Sequence, residues 1–371
     1  MKIDRVEVRV VGPKVKRYTW SHDIPEQYMT NTLVRIYTDE GVEGVGAVAN
    51  YTSYDYDRYT AETLRHLIPI LIGKDPLKRE TILREIWPRV FPLPPGAVAA
   101  IDIALWDLFG KVCNQPIYRL LGGARDSMTA YASTPMFEDV PAYLRFVEEC
   151  IAQGFKAIKF HCWCLPEKDL ALARAVKKEH PGDDVKFMLD VENNYTRDDA
   201  LRAAHELQDI GFEWFEAPLF DYDLEGYRKI TNAVDISILP SGNWFQDLHT
   251  FNHALTCGAW SVARTDVTVM GGFTQARKAM ALVEAVGMRC EVMSWGFTLV
   301  SAANFHLMLA HNLSNYFEQA VPYDSYEYGM KQVIRTGPDG TVQAPRGPGL
   351  GLEIDWEAME AATIHTIASG S

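Results

Sequence analysis

Cysteine is scarce in this 371-residue chain: Cys113, Cys150, Cys162, Cys164, Cys257 and Cys290 are all there is, and they show no framework spacing. That excludes a disulfide scaffold and reads as reduced thiols in a cytoplasmic protein. Basic charge is short as well. Lys and Arg number 36 against 49 Asp and Glu, a net charge of −13 spread along the chain, so neither nucleic acid nor an anionic membrane finds the basic face it needs. No uninterrupted apolar run approaches the roughly 20 residues of a membrane span. The opening stretch from Met1 to Val10 alternates like a strand and lacks the apolar core of a signal peptide. Low-complexity segments and short-period repeats are absent.

What is present is a large soluble core. Hydrophobic residues make up 47% and charged residues 23%. The length suits a barrel of roughly 250 residues plus a second unit. Strand-like alternation over 3–11, an aromatic loop over 18–31, a strand over 32–37, the turn Asp39-Glu40-Gly41 and a strand over 42–48 predict a small antiparallel sheet. Helical segments follow over 57–72, 76–87 and 97–112. From about Met128 short apolar runs alternate with amphipathic helices: strands over 129–132, 157–161, 186–190, 214–216, 236–240, 261–267, 289–293 and 315–318. Eight strands, each followed by a helical crossover, are what a parallel barrel requires. A Gly- and Pro-bearing tail from about Tyr323 ends in one short helix over 356–367, returning towards the N-terminal sheet.

Polar residues close these apolar runs: Lys159 and His161, Asp190, Glu216, Asn243, Arg264 and Asp266, Ser294, and Glu318. Charges inside a barrel are costly unless paired or bound to a metal, and catalytic groups of such barrels sit at the C-terminal strand ends. Asp190 and Glu216 suit a hard divalent cation such as Mg²⁺, which takes oxygen ligands. Lys159 and His161, two apart, project to one side. A lysine near a cation in a closed site is expected to have a lowered pKa and to act as a base. The reaction class that follows is proton abstraction beside a carboxylate, with the metal stabilising the enolate.

In order and spacing these residues resemble the mandelate racemase and muconate-lactonising branch of the enolase superfamily. The resemblance covers nearly the whole chain. Its most specific stretch runs Ala99-Ala100-Ile101-Asp102-Ile103-Ala104-Leu105-Trp106-Asp107, then Gly110-Lys111, Pro116 and Leu120-Leu121-Gly122-Gly123. The series Lys159, Asp190, Glu216, Asp266 and the ending Gly347-Pro348-Gly349-Leu350-Gly351 agree with it. The resemblance implies a (β/α)-barrel of the enolase type (126–322), with an α+β capping domain (1–125) completed by the C-terminal tail (323–371). It also implies Mg²⁺ held at Asp190, Glu216 and Asn243, a small carboxylate substrate and a homo-oligomer. Asn243 stands where the family has an acidic residue. Glu192 either restores the carboxylate count or pairs with Arg264, the salt bridge being the plainer reading. The family's seventh-strand histidine, partner of the sixth-strand aspartate, is replaced by Met293, and His161 stands where many members have a second lysine.

With bases only on the Lys159 side, a two-base racemase is disfavoured. A sugar-acid dehydratase is the first expectation: Lys159 takes the α-proton, and His161 or Lys159 protonates the departing oxygen. A lactone cycloisomerase, a racemase or epimerase, or a degraded relative that only binds a small acid are the alternatives. Lys159, His161 and Asp266 are the candidate catalytic residues. Tyr18, Trp20, His22 and Tyr54 in capping loops, the last within an aromatic stretch over 50–56 that includes Tyr51, are with Arg264, Trp295 and Glu318 at the barrel mouth the candidate substrate contacts.

Overall fold

A computed structural model describes residues 1–52, 58–90 and 95–369. Three antiparallel strands, β1 (Ile3–Val11), β2 (Tyr28–Thr38) and β3 (Glu43–Thr52), open the chain, followed by helices α1 (Arg58–Leu71), α2 (Arg79–Val90), α3 (Gly96–Cys113) and α4 (Ile117–Leu121). Valines and isoleucines of β1 and β2 bury one face of the sheet against the leucines of α1 and the alanine-rich side of α3. β2 begins four residues earlier than its hydrophobic alternation suggests. Tyr28–Asn31 pair with Ala49–Thr52 of β3, so ladder bonds override a loop-like composition and carry β3 out to the barrel mouth.

Eight parallel strands follow: β4 (Ser127–Ser133), β5 (Ala157–His161), β6 (Lys186–Asp190), β7 (Trp214–Glu216), β8 (Ser237–Leu239), β9 (Val262–Thr265), β10 (Arg289–Val292) and β11 (Tyr316–Ala320). Seven of them are followed by helices: α5 (Val140–Ala152), α6 (Pro166–Glu179), α7 (Arg197–Asp209), α8 (Leu224–Thr231), α9 (Leu248–Thr256), α10 (Phe273–Ala285) and α11 (Thr298–Ala310). The eighth crossover is not a helix; β11 runs into a 3₁₀ turn at Tyr323–Ser325 and then the tail. Ladder pairing is continuous through β11-β4-β5-β6-β7-β8 and separately through β9-β10. Side chains bridge the two seams. The Ser261 hydroxyl accepts from the Ile238 N–H at 2.7 Å, and the Ser294 hydroxyl both donates to the Glu318 carbonyl and accepts from its N–H at 3.0 Å.

The tail forms β12 (Thr341–Gln343), α12 (Trp356–Ala361) and β13 (Thr363–Ala368). The expected single helix over 356–367 is therefore half strand. Thr363, Ile364, Thr366 and Ile367 are β-branched, and β13 pairs antiparallel with β1 as the fourth strand of the capping sheet. β12 pairs instead with β4, so the tail serves both parts of the molecule.

The stretch at the join has a mechanical explanation in α3. Asp102 accepts from the Thr274 N–H (2.9 Å) and hydroxyl (2.6 Å), capping α10 of the barrel from another helix. Asp107 accepts from Val45 N–H in the sheet and Leu350 N–H in the tail, both at 2.8 Å. Gly349, at φ +71°, makes room for this: a Cβ there would lie 2.1 Å from Asp107 Oδ1.

Candidate active site

Period-two alternation sorts every barrel strand into an outer and an inner set. Ile158, Phe160, Phe187, Leu189, Phe215 and Phe317 face the helices, in the main core. Tyr131, Ala157, Met188, Trp214, Leu239 and Val262 form an apolar layer inside the barrel. One step further along the same inner faces come Ser133, Lys159, Asp190, Glu216, Arg264 and Glu318, all buried. The ionic layer thus rests on an aromatic floor, with the Lys159 ammonium 5.6 Å above the Tyr131 ring centroid and the Trp214 indole donating to Glu216 at 3.1 Å.

Lys159 Nζ lies 3.0 Å from Asp190 Oδ2, 2.9 Å from Glu216 Oε1 and 3.0 Å from Glu318 Oε1. Arg264 Nη2 contacts Glu216 and Glu318 at 2.9 Å each. Burial alone would depress the lysine, but Glu216, Glu318 and Asp190 outweigh it and hold its pKa well above the ordinary value. Burial raises the Glu216 pKa, whereas Lys159 and Arg264 draw Glu318 below the ordinary range against its own desolvation.

His161 is held from both sides. Its Nδ1 is 2.6 Å from the Thr134 carbonyl and therefore carries a proton, while Tyr143 donates to the His161 carbonyl at 2.7 Å. Its Nε2 faces Asp190 Oδ2 at 3.2 Å and Glu192 Oε1 at 3.3 Å. Desolvation opposes protonation, yet these two carboxylates push the ring up to about 10. Glu192 (φ +49°) is thus the partner of His161; the expected Glu192–Arg264 bridge does not form, because Arg264 is taken by Glu216 and Glu318. His161, Asp190 and Glu192 place ligand atoms within 4.8 Å of one another. Four carboxylates (Asp190, Glu192, Glu216, Glu318) face two permanent cations and the protonated His161 ring, which leaves the cavity net negative.

That cavity has a volume of about 260 Å³. Among the described residues it is lined on one side by the ionic layer, His161, Ser241 and Asn243, and on the other by Trp20, Ile24, Gln27, Tyr51, Met293 and Trp295. Trp20 and Trp295 meet edge to face at 4.7 Å within a small aromatic cluster between cap and barrel. Of the residues singled out from sequence, Lys159, His161, Asp190, Glu216, Asn243, Trp20, Arg264, Trp295 and Glu318 line this space. Tyr18 and His22 do not, His22 being exposed on the outer loop. Asp266 is buried beside the cavity rather than on its wall, and its Oδ1 accepts from the Thr268 hydroxyl at 2.7 Å. Tyr54 lies outside the described residues. Asn243 is an exposed residue just beyond β8, in a loop pinned by buried Asp221, which accepts from Ser241 N–H and hydroxyl at 2.8 Å. Ile24 and Gln27 were missed, and Tyr51 was read only as one of the aromatic stretch 50–56; the pairing of Met29 with Tyr51, which directs β3 to the mouth, lies inside the stretch that reads as loop.

Two family models match the chain: Enolase C-terminal domain-like over residues 142–358, and Mandelate racemase / muconate lactonizing enzyme, N-terminal domain over residues 5–122. A D-galactarolactone cycloisomerase from Agrobacterium fabrum is 29% identical over 379 aligned residues, covering 97% of this chain and 98% of its own. A crystal structure from Pseudovibrio sp., assigned to the mandelate racemase/muconate lactonizing enzyme group, superimposes with a TM-score of 0.97 at 40% identity, covering 99% of this chain and 98% of that one. D-glucarate dehydratase from Agrobacterium tumefaciens, complexed with magnesium, superimposes with a TM-score of 0.83 at 29% identity, covering 98% and 100%. Matched along both its parts, the chain belongs to the mandelate racemase/muconate lactonizing enzyme family of the enolase superfamily.

Proposed function

We propose that this protein is a Mg²⁺-dependent enzyme that removes the α-proton of a hydroxy-carboxylate from one face and expels the β-oxygen, a sugar-acid dehydratase. The observation that carries the reading is the asymmetry of the cavity: every group able to accept a proton stands on the His161 side, and Met293 faces it. Reversible racemisation needs a base on each face; elimination needs a base on only one.

The cation fits the residues present. A net negative cavity and carboxylate oxygens suit Mg²⁺, and a cation beside Glu216 would offset the burial that raises its pKa. Asp190 and Glu216 would hold it, with Asn243 and Glu192 each offering one further oxygen on the same cavity. When bound, the ion supplies positive charge at the substrate carboxylate. The magnesium in the D-glucarate dehydratase neighbour agrees with this.

His161, rather than Lys159, is the base. Lys159 keeps Glu318 as a partner even where Asp190 and Glu216 would hold a cation, so its nitrogen is the less free of the two. The Thr134 carbonyl keeps the imidazole proton on Nδ1, so once the carboxylates opposite are engaged by a cation, the Nε2 lone pair faces the cavity. The aromatic wall formed by Trp20 and Trp295 favours a second reading, in which the expelled oxygen belongs to a ring stacked on that wall, as in a lactone cycloisomerase. The two differ in the oxygen that leaves: a hydroxyl departs as water, and a lactone ring oxygen departs as a carboxylate. Incubation with aldonic and aldaric acids and their lactones, followed by assay for 2-keto acid, tests the proposal. Product that needs Mg²⁺ and vanishes in His161→Gln is expected; full product from His161→Gln overturns it.

A further inference from the structure

An expelled hydroxide is a poor leaving group, so elimination at a useful rate needs a proton delivered to the departing oxygen. Lys159 is held by three carboxylates and His161 carries away the α-proton. On the opposite wall, Trp20, Ile24, Met293 and Trp295 have no acidic proton to give, and Gln27 is an amide. Tyr51 alone among the described residues of that wall has one.

We infer that Tyr51 is a catalytic acid, delivering its phenolic proton to the departing oxygen from the face opposite His161; this rests on the proposed elimination. Its ring is set edge-on against Trp295 with centroids 4.7 Å apart, and against Trp20 at 6.1 Å. Its hydroxyl reaches the loop that follows Met293: a Cβ on Gly296, whose φ is +130°, would come within 2.9 Å of it. The glycine thus leaves room for the hydroxyl beside the position where a second-face proton carrier is missing. Desolvation, then the fields of Asp266 and Glu318, hold the phenol well above its ordinary pKa, so it is protonated and a donor throughout the neutral range. Asp266 acts here on Tyr51, not on a histidine.

The step balances. His161 Nε2 takes the α-proton, the C–H pair becomes the Cα=Cβ bond, and the Cβ–O pair leaves with the oxygen. That oxygen takes the Tyr51 proton and departs as water; a lactone ring oxygen would leave as a carboxylate and need no proton. In ketonisation the enol hydroxyl gives its proton to solvent, the carbon that lost oxygen takes one from His161 after that group has exchanged with solvent, and the Tyr51 phenolate regains one from solvent. Proton removal and oxygen loss on opposite faces make the elimination anti.

Tyr51→Phe keeps the ring contacts and removes only the proton. The probes are D-glucarate and D-galactarate with Mg²⁺ in D₂O, and the 3-deoxy-3-fluoro analogue of whichever turns over, because fluoride leaves without a proton. The variant is expected to melt with wild type, to lose about 10²-fold or more in elimination of oxygen, and to eliminate fluoride within about threefold of wild type. Oxygen elimination at the wild-type rate, or equal loss on both leaving groups with unchanged melting, overturns the role of Tyr51 alone. A wild type that removes no α-hydrogen from any probe overturns the elimination reading and this inference together.

Discussion

His161 Nε2 stands 3.2 Å from Asp190 Oδ2, each the last residue of its strand and both on the inner face. An imidazole whose other nitrogen is fixed on a carbonyl has only one free direction, and here that direction is shared with the carboxylate best placed to hold a cation. A cation held by Asp190 would therefore draw that carboxylate away from His161.

Cation binding should raise the thermal midpoint by a few degrees as Mg²⁺ is brought to a hundred times its dissociation constant, a stabilisation of about 2.7 kcal/mol. Chelation should reverse it. Glu216→Gln should abolish the shift and Asn243→Asp should enlarge it by restoring the third negative ligand. An unchanged midpoint in wild type at saturating Mg²⁺ contradicts the metal assignment.

Lys159→Met leaves three buried carboxylates without their shared ammonium. In chelator, unfolding free energy should fall by about 3–5 kcal/mol, the usual cost of stripping one partner from a buried ion cluster. Denaturant titration reads it. A loss under 1 kcal/mol would mean that the carboxylates find other partners and that Lys159 is not the keystone of the layer.

These strand-end residues were legible in the sequence because a barrel forces alternation: a charge closing an apolar run is conspicuous, and Lys159, Asp190, Glu216 and Glu318 were all found that way. Their partners were not. Arg264 serves Glu216 and Glu318 rather than Glu192, and this depends on the lateral order of β7, β9 and β11, which no local pattern encodes. The place of Tyr51 at the mouth was hidden because β3 extends past its apolar run, held by a ladder to Met29 in a segment with loop composition. The tail misled for a related reason: Thr363–Ala368 follow a helical turn without a break, and only the free edge of β1 makes them a strand.

His306 gives a pH signature remote from the site. Its Nδ1 accepts from Tyr118 N–H at 3.2 Å and its Nε2 donates to the Leu350 carbonyl at 3.0 Å, so the folded protein needs it neutral. Burial pushes its pKa down to about 4 from the ordinary 6.5. A depressed folded value means that the unfolded chain binds the extra proton first, so this stability is complete above pH 6.5 and is lost as pH falls towards 4. Between pH 7.5 and 5 it amounts to about 2 kcal/mol. Unfolding of wild type and His306→Gln across that range should differ in slope by this amount; parallel curves would contradict it.

Gly349→Ala should destabilise the protein by about 3 kcal/mol or more, combining a strained positive φ with a collision against Asp107 Oδ1. Because Asp107 ties sheet, helix and tail, calorimetry should show the whole transition moving down. A loss confined to fraying of the tail would mean that the three parts are not clamped at this point.

The central claim is one-sided proton removal followed by loss of the β-oxygen, and proton NMR of the reaction in D₂O with Mg²⁺ and acid-sugar substrates tests it most directly. The account predicts a 2-keto product carrying deuterium at the carbon that lost oxygen, with unreacted substrate unchanged in configuration at its α-carbon. Substrate inverted and deuterated at the α-carbon, with no keto product, would contradict it.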